Sequence, residues 1–307
     1  MDIIILLFGF SIGLVLLVKG ADEMVSSAIQ IALKFKLPSS IVGATFIGFG
    51  TSAPELFAST RAALKGDLDL GIGNIVGSNI ANSLLVVAVL YLALPKDYSK
   101  KINLNKISPT WMAILTTIFV STYLLTNKFP FLLGVALLVL VLYVIYKMIS
   151  SESDDEESLI EEEKSYVWLR GGMSLVATLY GSQLVVENAV EIASIFGVSS
   201  LVIGSTIIAI GTSLPEVAGT ISAAKMRKPD IVFGNIFGSN LFNIGLVGGA
   251  AIMISPGEIS SVIDYQLFIM YFVSFVVIFL SRNIIKRNEI LGYVFIALYV
   301  LFLISLF

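Results

Sequence analysis

The chain has 307 residues, 57% of them hydrophobic and only 13% charged, with a mean hydropathy of +0.94 and a formal net charge of −3. Soluble domains carry about 25% charged residues, so this chain lacks the polar surface to coat a globule. It has no Cys and no His, which excludes disulfides, thiolate nucleophiles, Ser-His and Cys-His triads, haem axial His and the usual zinc sites; a metal site must use oxygen ligands, which suit hard ions such as Na⁺, Ca²⁺ or Mg²⁺.

Taken in chain order, the apolar pattern predicts helices at 3–33, 39–64, 70–94, 107–126, 130–149, 166–196, 199–224, 230–254, 262–281 and 289–306. Most are long enough to cross a hydrocarbon core ~30 Å thick. Met1 and Asp2 lead into an apolar run with no basic stretch or small-residue cleavage site, so no signal peptide is expected. Lys19, Asp22 and Glu23 in the first helix, and Glu187 and Glu191 in the sixth, read as solvated ends of long helices. Asp69 and Asp230 read as helix caps at the membrane edge. The run SSESDDEESLIEEEK at 150–164 is plainly not membrane. It lacks the spaced ligands and central Gly of a calcium-binding loop and reads as a solvated tether. The expected organisation is a five-helix unit over 1–149, an acidic loop over 150–165 and a second five-helix unit over 166–307.

An internal repeat gives the strongest signal. Shifted by 161 residues, 42–87 aligns with 203–248 without a gap, with 20 identities in 46 positions. The identities fall mainly on Gly, Thr, Ser, Pro, Glu, Asp and Asn. Shared Leu or Val would be cheap in a membrane protein; shared polar residues are not. Five helices is an odd number, so the second unit enters the membrane with opposite orientation, the inverted-repeat plan of secondary transporters. With the N-terminus outside, the cytoplasmic connections hold 15 of the 19 Lys and Arg residues. Cytoplasmic loops collect basic residues, so both termini are expected outside the cell membrane and the acidic loop in the cytoplasm.

Two motifs recur. G-T-S-x-P-E occupies Gly50, Thr51, Ser52, Pro54, Glu55 and again Gly211, Thr212, Ser213, Pro215, Glu216. G-N-I-x-G-S-N-x-x-N occupies Gly73, Asn74, Gly77, Ser78, Asn79, Asn82 and again Gly234, Asn235, Gly238, Ser239, Asn240, Asn243. Each sits within an otherwise apolar, membrane-length segment. An ionised Glu at the bilayer centre costs about 2.5–3.5 kcal/mol on insertion scales. No Lys or Arg lies at comparable depth in these segments, so a bound cation is the better partner. One such Glu could be a protonated structural residue; two at equivalent positions of one motif argue against that. Pro54 and Pro215 disturb the helix one turn back and free carbonyls there. Those carbonyls, the Thr and Ser hydroxyls, the Asn amides and one Glu per half supply enough oxygens for Ca²⁺, which takes 6–8 ligands, or for several Na⁺. The small residues serve close helix packing as well, and the polar Asn and Ser could also act as interhelical glue.

On these motifs the chain resembles the sodium/calcium exchanger family of the calcium:cation antiporter superfamily, in the prokaryotic type with two alpha repeats. The resemblance implies an all-α integral membrane fold: ten transmembrane helices as two inverted five-helix repeats, with broken helices 2, 3, 7 and 8 forming the ion-binding core. Helices 1 and 6 would slide across that core to alternate access. It assigns Glu55 and Glu216 as the carboxylate ligands. Thr51, Ser52, Thr212 and Ser213 would add hydroxyl or carbonyl oxygens, Gly48 and Ala209 backbone carbonyls, and Ser78, Asn82, Ser239 and Asn243 the remaining ligands. Several family members, including potassium-dependent ones, have Asp at the position of Asn243; Asn at both 82 and 243 looks like the potassium-independent pattern. The expected function is therefore secondary active exchange of Na⁺ for Ca²⁺, with no enzymatic chemistry, cofactor or nucleic-acid partner. The alternatives are H⁺/Ca²⁺ exchange, because two carboxylates in one cavity compete for a proton, and a cation channel or Mg²⁺ pathway. A channel would more naturally be a symmetric oligomer, whereas here the pseudo-symmetry lies inside one chain.

Overall fold

The computed structural model describes residues 3–102, 104–150, 166–197, 211–260 and 263–306. The helical segments follow the expected order: α1 (Ile3–Phe35), α2 in two parts (Ser39–Thr51 and Ala53–Leu64), α3 (Leu68–Ala93), α4 (Ile107–Thr126), α5 (Phe131–Ile149), α6 (Val167–Ile195), the described part of α7 (Leu214–Lys225), α8 (Pro229–Ile254), α9 (Asp264–Ser281) and α10 (Glu289–Ile304). Six of them, or seven when the two parts of α2 count as one span, are long and apolar enough to cross a membrane among the described residues. α10 is apolar but shorter. α6 has the length but includes Arg170, Gln183, Glu187, Asn188 and Glu191, which dilute its hydropathy.

Burial sorts the helices into a centre and a periphery. In the most apolar stretches of α8 and α3, 83% and 78% of residues are buried, against 22% in α1 and 33% in α5. α8 is buried on every side over Pro229–Phe242, as expected of a central helix. The first part of α2 packs directly on it, backbone to backbone. A Cβ at Gly238 would sit 2.3 Å from the Ala44 carbonyl oxygen, so only Gly allows that approach. α1 and α6 lie against each other outside this centre, and Arg170 of α6 forms an ion pair with Glu23 of α1. Glu23 is therefore an interhelical partner, where the sequence suggested a solvated helix end.

Two short antiparallel ladders tie the repeats together. β1 (Ser99–Lys101) pairs with β4 (Ile284–Lys286), joining the α3–α4 connection to the α9–α10 connection. β2 (Lys128–Phe129) pairs with β3 (Gly257–Glu258), joining α4–α5 to α8–α9. In a ten-span thread each pair of connections lies on one membrane side, and the two ladders lie on opposite sides. An inverting two-fold between the repeats exchanges one ladder for the other. Asp97 and Arg227, at 2.6 Å, link the α3–α4 and α7–α8 connections, which also share a side. The Arg227 hydrogen bond holds the Asp97 carboxyl below the usual range for aspartate.

The interruptions of the core helices take two forms. α2 bends by 45° at Ser52 (φ −82°, ψ 0°), and its second part restarts with Pro54 in the first turn. The described part of α7 starts the same way, after Ser213 (φ −95°, ψ 5°), with Pro215 in its first turn. Pro is tolerated there because a first-turn N–H has no intrahelical partner to lose. α3 and α8 run on instead through π-helical turns, at Asn82–Val86 and Asn243–Gly248. These begin on repeat-equivalent residues. A third π-helical turn, Gly43–Gly48, precedes the bend in α2. Single π-turns inside α-helices gather at functional sites.

The caps correct one expectation. Asp67, not Asp69, caps α3 by accepting from the Leu70 N–H at 3.0 Å. Asp69 instead accepts from the Ser260 N–H at 2.7 Å, tying the start of α3 to the α8–α9 connection. Asp230 lies in the first turn of α8, whose N-cap is Lys228.

Candidate functional site

Glu55 and Glu216 occupy the third position of the helices that start after Ser52 and Ser213. There the helix presents unpaired N–H groups and a partial positive charge, which suits a carboxylate. Both side chains are buried, at 4% and 2% exposure, and they are near enough for each to feel the other's charge. Among the described residues neither has an ion-pair partner.

The surroundings come from both repeats. The Ser78 hydroxyl donates to Glu55 Oε1 at 3.4 Å. Thr51 reaches the Glu216 carboxyl and lies 3.4 Å from the Ser239 hydroxyl, across 188 residues of sequence. Both Thr51 and Ser239 donate to the Gly48 carbonyl oxygen, at 3.5 and 3.3 Å. Of the residues the sequence singled out, Glu55, Glu216, Thr51, Ser239, Ser78 and Gly48 are thus joined by these contacts. Ser52 and Ser213 are buried where these two helices start. Ala209 lies outside the described residues.

Among the described residues, several of the oxygens have no protein partner: Glu55 Oε2, Glu216 Oε2, Ser52 Oγ and Asn243 Oδ1 are buried with no hydrogen bond. An orphaned buried acceptor costs about 1–3 kcal/mol, and more when it is charged. A set of unsatisfied oxygens that includes two carboxylates, with no cationic side chain paired to them, is the donor chemistry that a hard cation would complete.

Asn79 and Asn240 were not expected as site residues, and they explain why Asn243 is left with a free oxygen. Asn79 Nδ2 donates to the Asn240 backbone carbonyl oxygen at 3.5 Å, which fixes the orientation of the Asn79 amide and leaves its Oδ1 as an acceptor. Asn243 Nδ2 then donates to that Oδ1 at 3.1 Å. Flipping the Asn243 amide would set two acceptors face to face, so its oxygen must point the other way. On the opposite side Asn240 Nδ2 donates to Ser83 Oγ at 3.2 Å, and Asn240 Oδ1 accepts from Asn82 Nδ2 at 3.1 Å. The pairs Asn79–Asn243 and Asn240–Asn82 are exchanged by the repeat. In sequence, the only signal was that Asn79 and Asn240 recur at equivalent places of one motif. Asn240→Ala should unpair Asn82 and Ser83 in a buried setting and lower unfolding stability by about 1–3 kcal/mol. Thermal melts should show this together with weaker Ca²⁺ binding; unchanged melting and binding would remove the clasp from the account.

A cavity of about 590 Å³ opens between α6 and these two helix starts, lined by Pro54, Phe57, Gln183, Glu187, Thr212 and Pro215 among others. It reaches both G-T-S-x-P-E motifs from one side. The leading glycines face α6: a Cβ at Gly50 would lie 2.4 Å from the Leu175 side chain, and one at Gly211 would lie 2.3 Å from Val186. Ser182 of α6 also donates to the Gly211 carbonyl at 3.1 Å. Glu187, expected at a solvated end, is exposed on this cavity and accepts from Gln183 at 2.7 Å.

A family described as "Sodium/calcium exchanger protein" matches residues 5–151 and 166–307. The chain belongs to the sodium/calcium exchanger family. It is accordingly a multi-pass membrane antiporter of cations. It is 38% identical to the "Putative antiporter CaxA" of Alkalimonas amylolytica, over 81% of each chain. It is 30% identical to the "Sodium/calcium exchanger MaX1" of Methanosarcina acetivorans, over 96% of this chain and 97% of that one. Its fold matches a solved structure of the sodium-calcium exchanger NCX_Mj soaked with 10 mM Na⁺ and zero Ca²⁺, with a TM-score of 0.83, 27% identity and complete coverage of both chains. The ten-helix, two-repeat layout is that of this exchanger fold.

Proposed function

We propose that the protein exchanges Na⁺ for Ca²⁺ by alternating access, binding both ions at one site shared by the two repeats. The observation that supports this most is the pair Glu55 and Glu216: both buried, within reach of each other's charge, each on the first turn of a helix, each with an oxygen left unsatisfied among the described residues. Two carboxylates give a charge of −2, which one Ca²⁺ or two Na⁺ neutralises. Thr51, Ser52, Thr212, Ser213, Ser78, Asn82, Ser239 and Asn243, with the carbonyls of Gly48 and Ala209, complete the proposed ligand set. The relative from Methanosarcina acetivorans, described as a sodium/calcium exchanger along nearly its whole length, supports Na⁺ as the counter-ion.

H⁺ in place of Na⁺ is the second reading, favoured because each carboxylate feels the other's charge and a proton on either relieves their repulsion. ⁴⁵Ca²⁺ uptake into proteoliposomes decides between them. Uptake driven by an outward Na⁺ gradient at equal pH is the expected result; uptake driven only by an outward H⁺ gradient assigns the proton.

The proposed organisation is 1–149 and 166–307 as the two repeats, with 150–165 as a cytoplasmic tether and both termini outside the cell membrane. The bias of Lys and Arg supports it, as does the pairing of connections by side through the two ladders. Because the chain has no Cys, single-cysteine variants report orientation without background. In intact cells Lys128→Cys should react with an impermeant maleimide and Glu157→Cys only after permeabilisation; the opposite pattern reverses the assignment. Replacing 152–163 with a Gly/Ser linker should keep exchange within a few-fold. Loss of flux in protein that still reaches the membrane would make the loop a regulatory element.

A further inference from the structure

A second cavity, of about 550 Å³, lies where the α3–α4 connection meets the end of α9. Lys101, Lys106 and Arg282 line it together with the apolar Ile102, Leu104 and Pro109, and its lining includes no acidic residue. Lys101 ends β1, Lys106 is the N-cap of α4 and Arg282 the C-cap of α9, so segments from both repeats bring three cations to one place. All three side chains are exposed, and among the described residues none has an ion-pair partner. Basic neighbours nearby do find acids: Arg227 pairs with Asp97 and Arg287 with Glu289. Three like charges around one concavity repel each other, and a bound anion would offset that cost.

The depth of the pocket indicates the kind of anion. It sits where α4 begins and α9 ends. Trp111, about one turn into α4, packs edge-on against Tyr143 of α5 at 5.6 Å, and Lys147 lies over the same ring at 5.8 Å. Amphipathic aromatics with a lysine reaching outward mark the membrane–water interface. The lining has three cationic residues, three apolar ones and the hydroxyls of Thr110 and Ser281. Ile102, Leu104 and Pro109 offer nothing to a free phosphate ion but suit a glycerol backbone and the first methylenes of acyl chains.

We infer that this pocket binds the phosphate headgroup of an anionic membrane phospholipid, with Lys101, Lys106 and Arg282 clamping the phosphate and the bound lipid bridging α4 of the first repeat to α9 of the second. Basic pockets between membrane helices hold anionic headgroups in this way. Free inorganic phosphate shares the charge but not the apolar part.

The test is native mass spectrometry of the full chain in neutral detergent, titrated with phosphatidylglycerol, phosphatidylcholine or inorganic phosphate. One phosphatidylglycerol should bind well ahead of any phosphatidylcholine, and millimolar inorganic phosphate should not displace it. The variant Lys101→Gln/Lys106→Gln/Arg282→Gln should weaken that binding by roughly 100-fold. Lys100→Gln/Lys286→Gln, which removes charge from the same ladder but outside the pocket lining, should leave it within a few-fold. If the triple variant does not fold, Lys101→Gln and Arg282→Gln singly should each weaken it several-fold. Unchanged binding in the pocket variants, equal loss in the ladder variant, or displacement by inorganic phosphate would each overturn the assignment, the last in favour of a small-anion site.

Discussion

Glu55→Gln and Glu216→Gln should each abolish Ca²⁺ exchange while leaving a folded, monodisperse protein. Each substitution is nearly isosteric, but it removes half of the site's formal charge and puts an amide N–H₂ among oxygens that should face a cation. Breaking a buried charge pair on one side costs about 3–5 kcal/mol, so Ca²⁺ affinity should fall by at least two orders of magnitude. Stability should move the other way in the absence of Ca²⁺. Among the described residues both carboxylates are buried without an ion-pair partner, and each feels the other's charge, so neutralising one relieves desolvation and repulsion in the ion-free protein. Thermal melts should therefore show each variant at least as stable as the parent without Ca²⁺, and with no stabilisation when Ca²⁺ is added. Near-normal flux in either variant would make that carboxylate structural.

Asn243→Asp should change which ions the site accepts, and the direction of its pH dependence follows from the amide geometry. Asn243 Nδ2 donates to Asn79 Oδ1 at 3.1 Å. An ionised Asp has no donor to give, so a carboxylate oxygen would face the Asn79 oxygen, and the empty site would hold −3 in place of −2. A loaded Ca²⁺ would then leave −1 uncompensated in a buried cavity, which is costly. A protonated Asp is neutral and can still donate to Asn79. At low pH the variant should therefore transport as the parent does. As pH rises and the Asp ionises, exchange should fail unless K⁺ or additional Na⁺ supplies the missing charge. Flux from pH 6 to 9, with and without K⁺, tests this. Superimposable profiles for parent and variant would mean that Asn243 does not face the ions.

Much of this architecture is legible in the amino-acid sequence because a membrane leaves few options. The segment at 107–126 is predicted and found with the same bounds, since a twenty-residue stretch with no charged side chain, between polar connections, has only one way to satisfy its backbone in lipid. Glu55 and Glu216 stand out because a buried carboxylate is expensive and its recurrence at 161 residues is not accidental. The bend in α2 is readable from Pro54, and the helix start after Ser213 from Pro215. The π-turns at Asn82 and Asn243 are not, because slipping one residue in a hydrogen-bond ladder leaves no compositional trace. The Asn79–Asn240 clasp is equally hidden: it depends on which face of α3 meets α8, a contact between residues about 160 apart in sequence. The cap of α3 was displaced by two residues because Gly66, at φ +78°, makes a turn that puts Asp67 at the helix start. The Glu23–Arg170 pair was missed for a related reason. Each residue alone reads as solvated, and only the packing of α1 on α6 brings them together.

Countertransport through the Glu55–Glu216 site is the central claim, and the efflux of ²²Na⁺ from preloaded proteoliposomes tests it most directly. External Ca²⁺ should trigger rapid ²²Na⁺ efflux from vesicles containing the parent protein. Without external Ca²⁺ or Na⁺ to bind, efflux should stay near that of empty vesicles, and Glu55→Gln should show no Ca²⁺-triggered component. Efflux equally fast with and without external Ca²⁺ would reveal a conducting pathway and contradict exchange. Ca²⁺-triggered efflux that persists in Glu55→Gln would contradict the site.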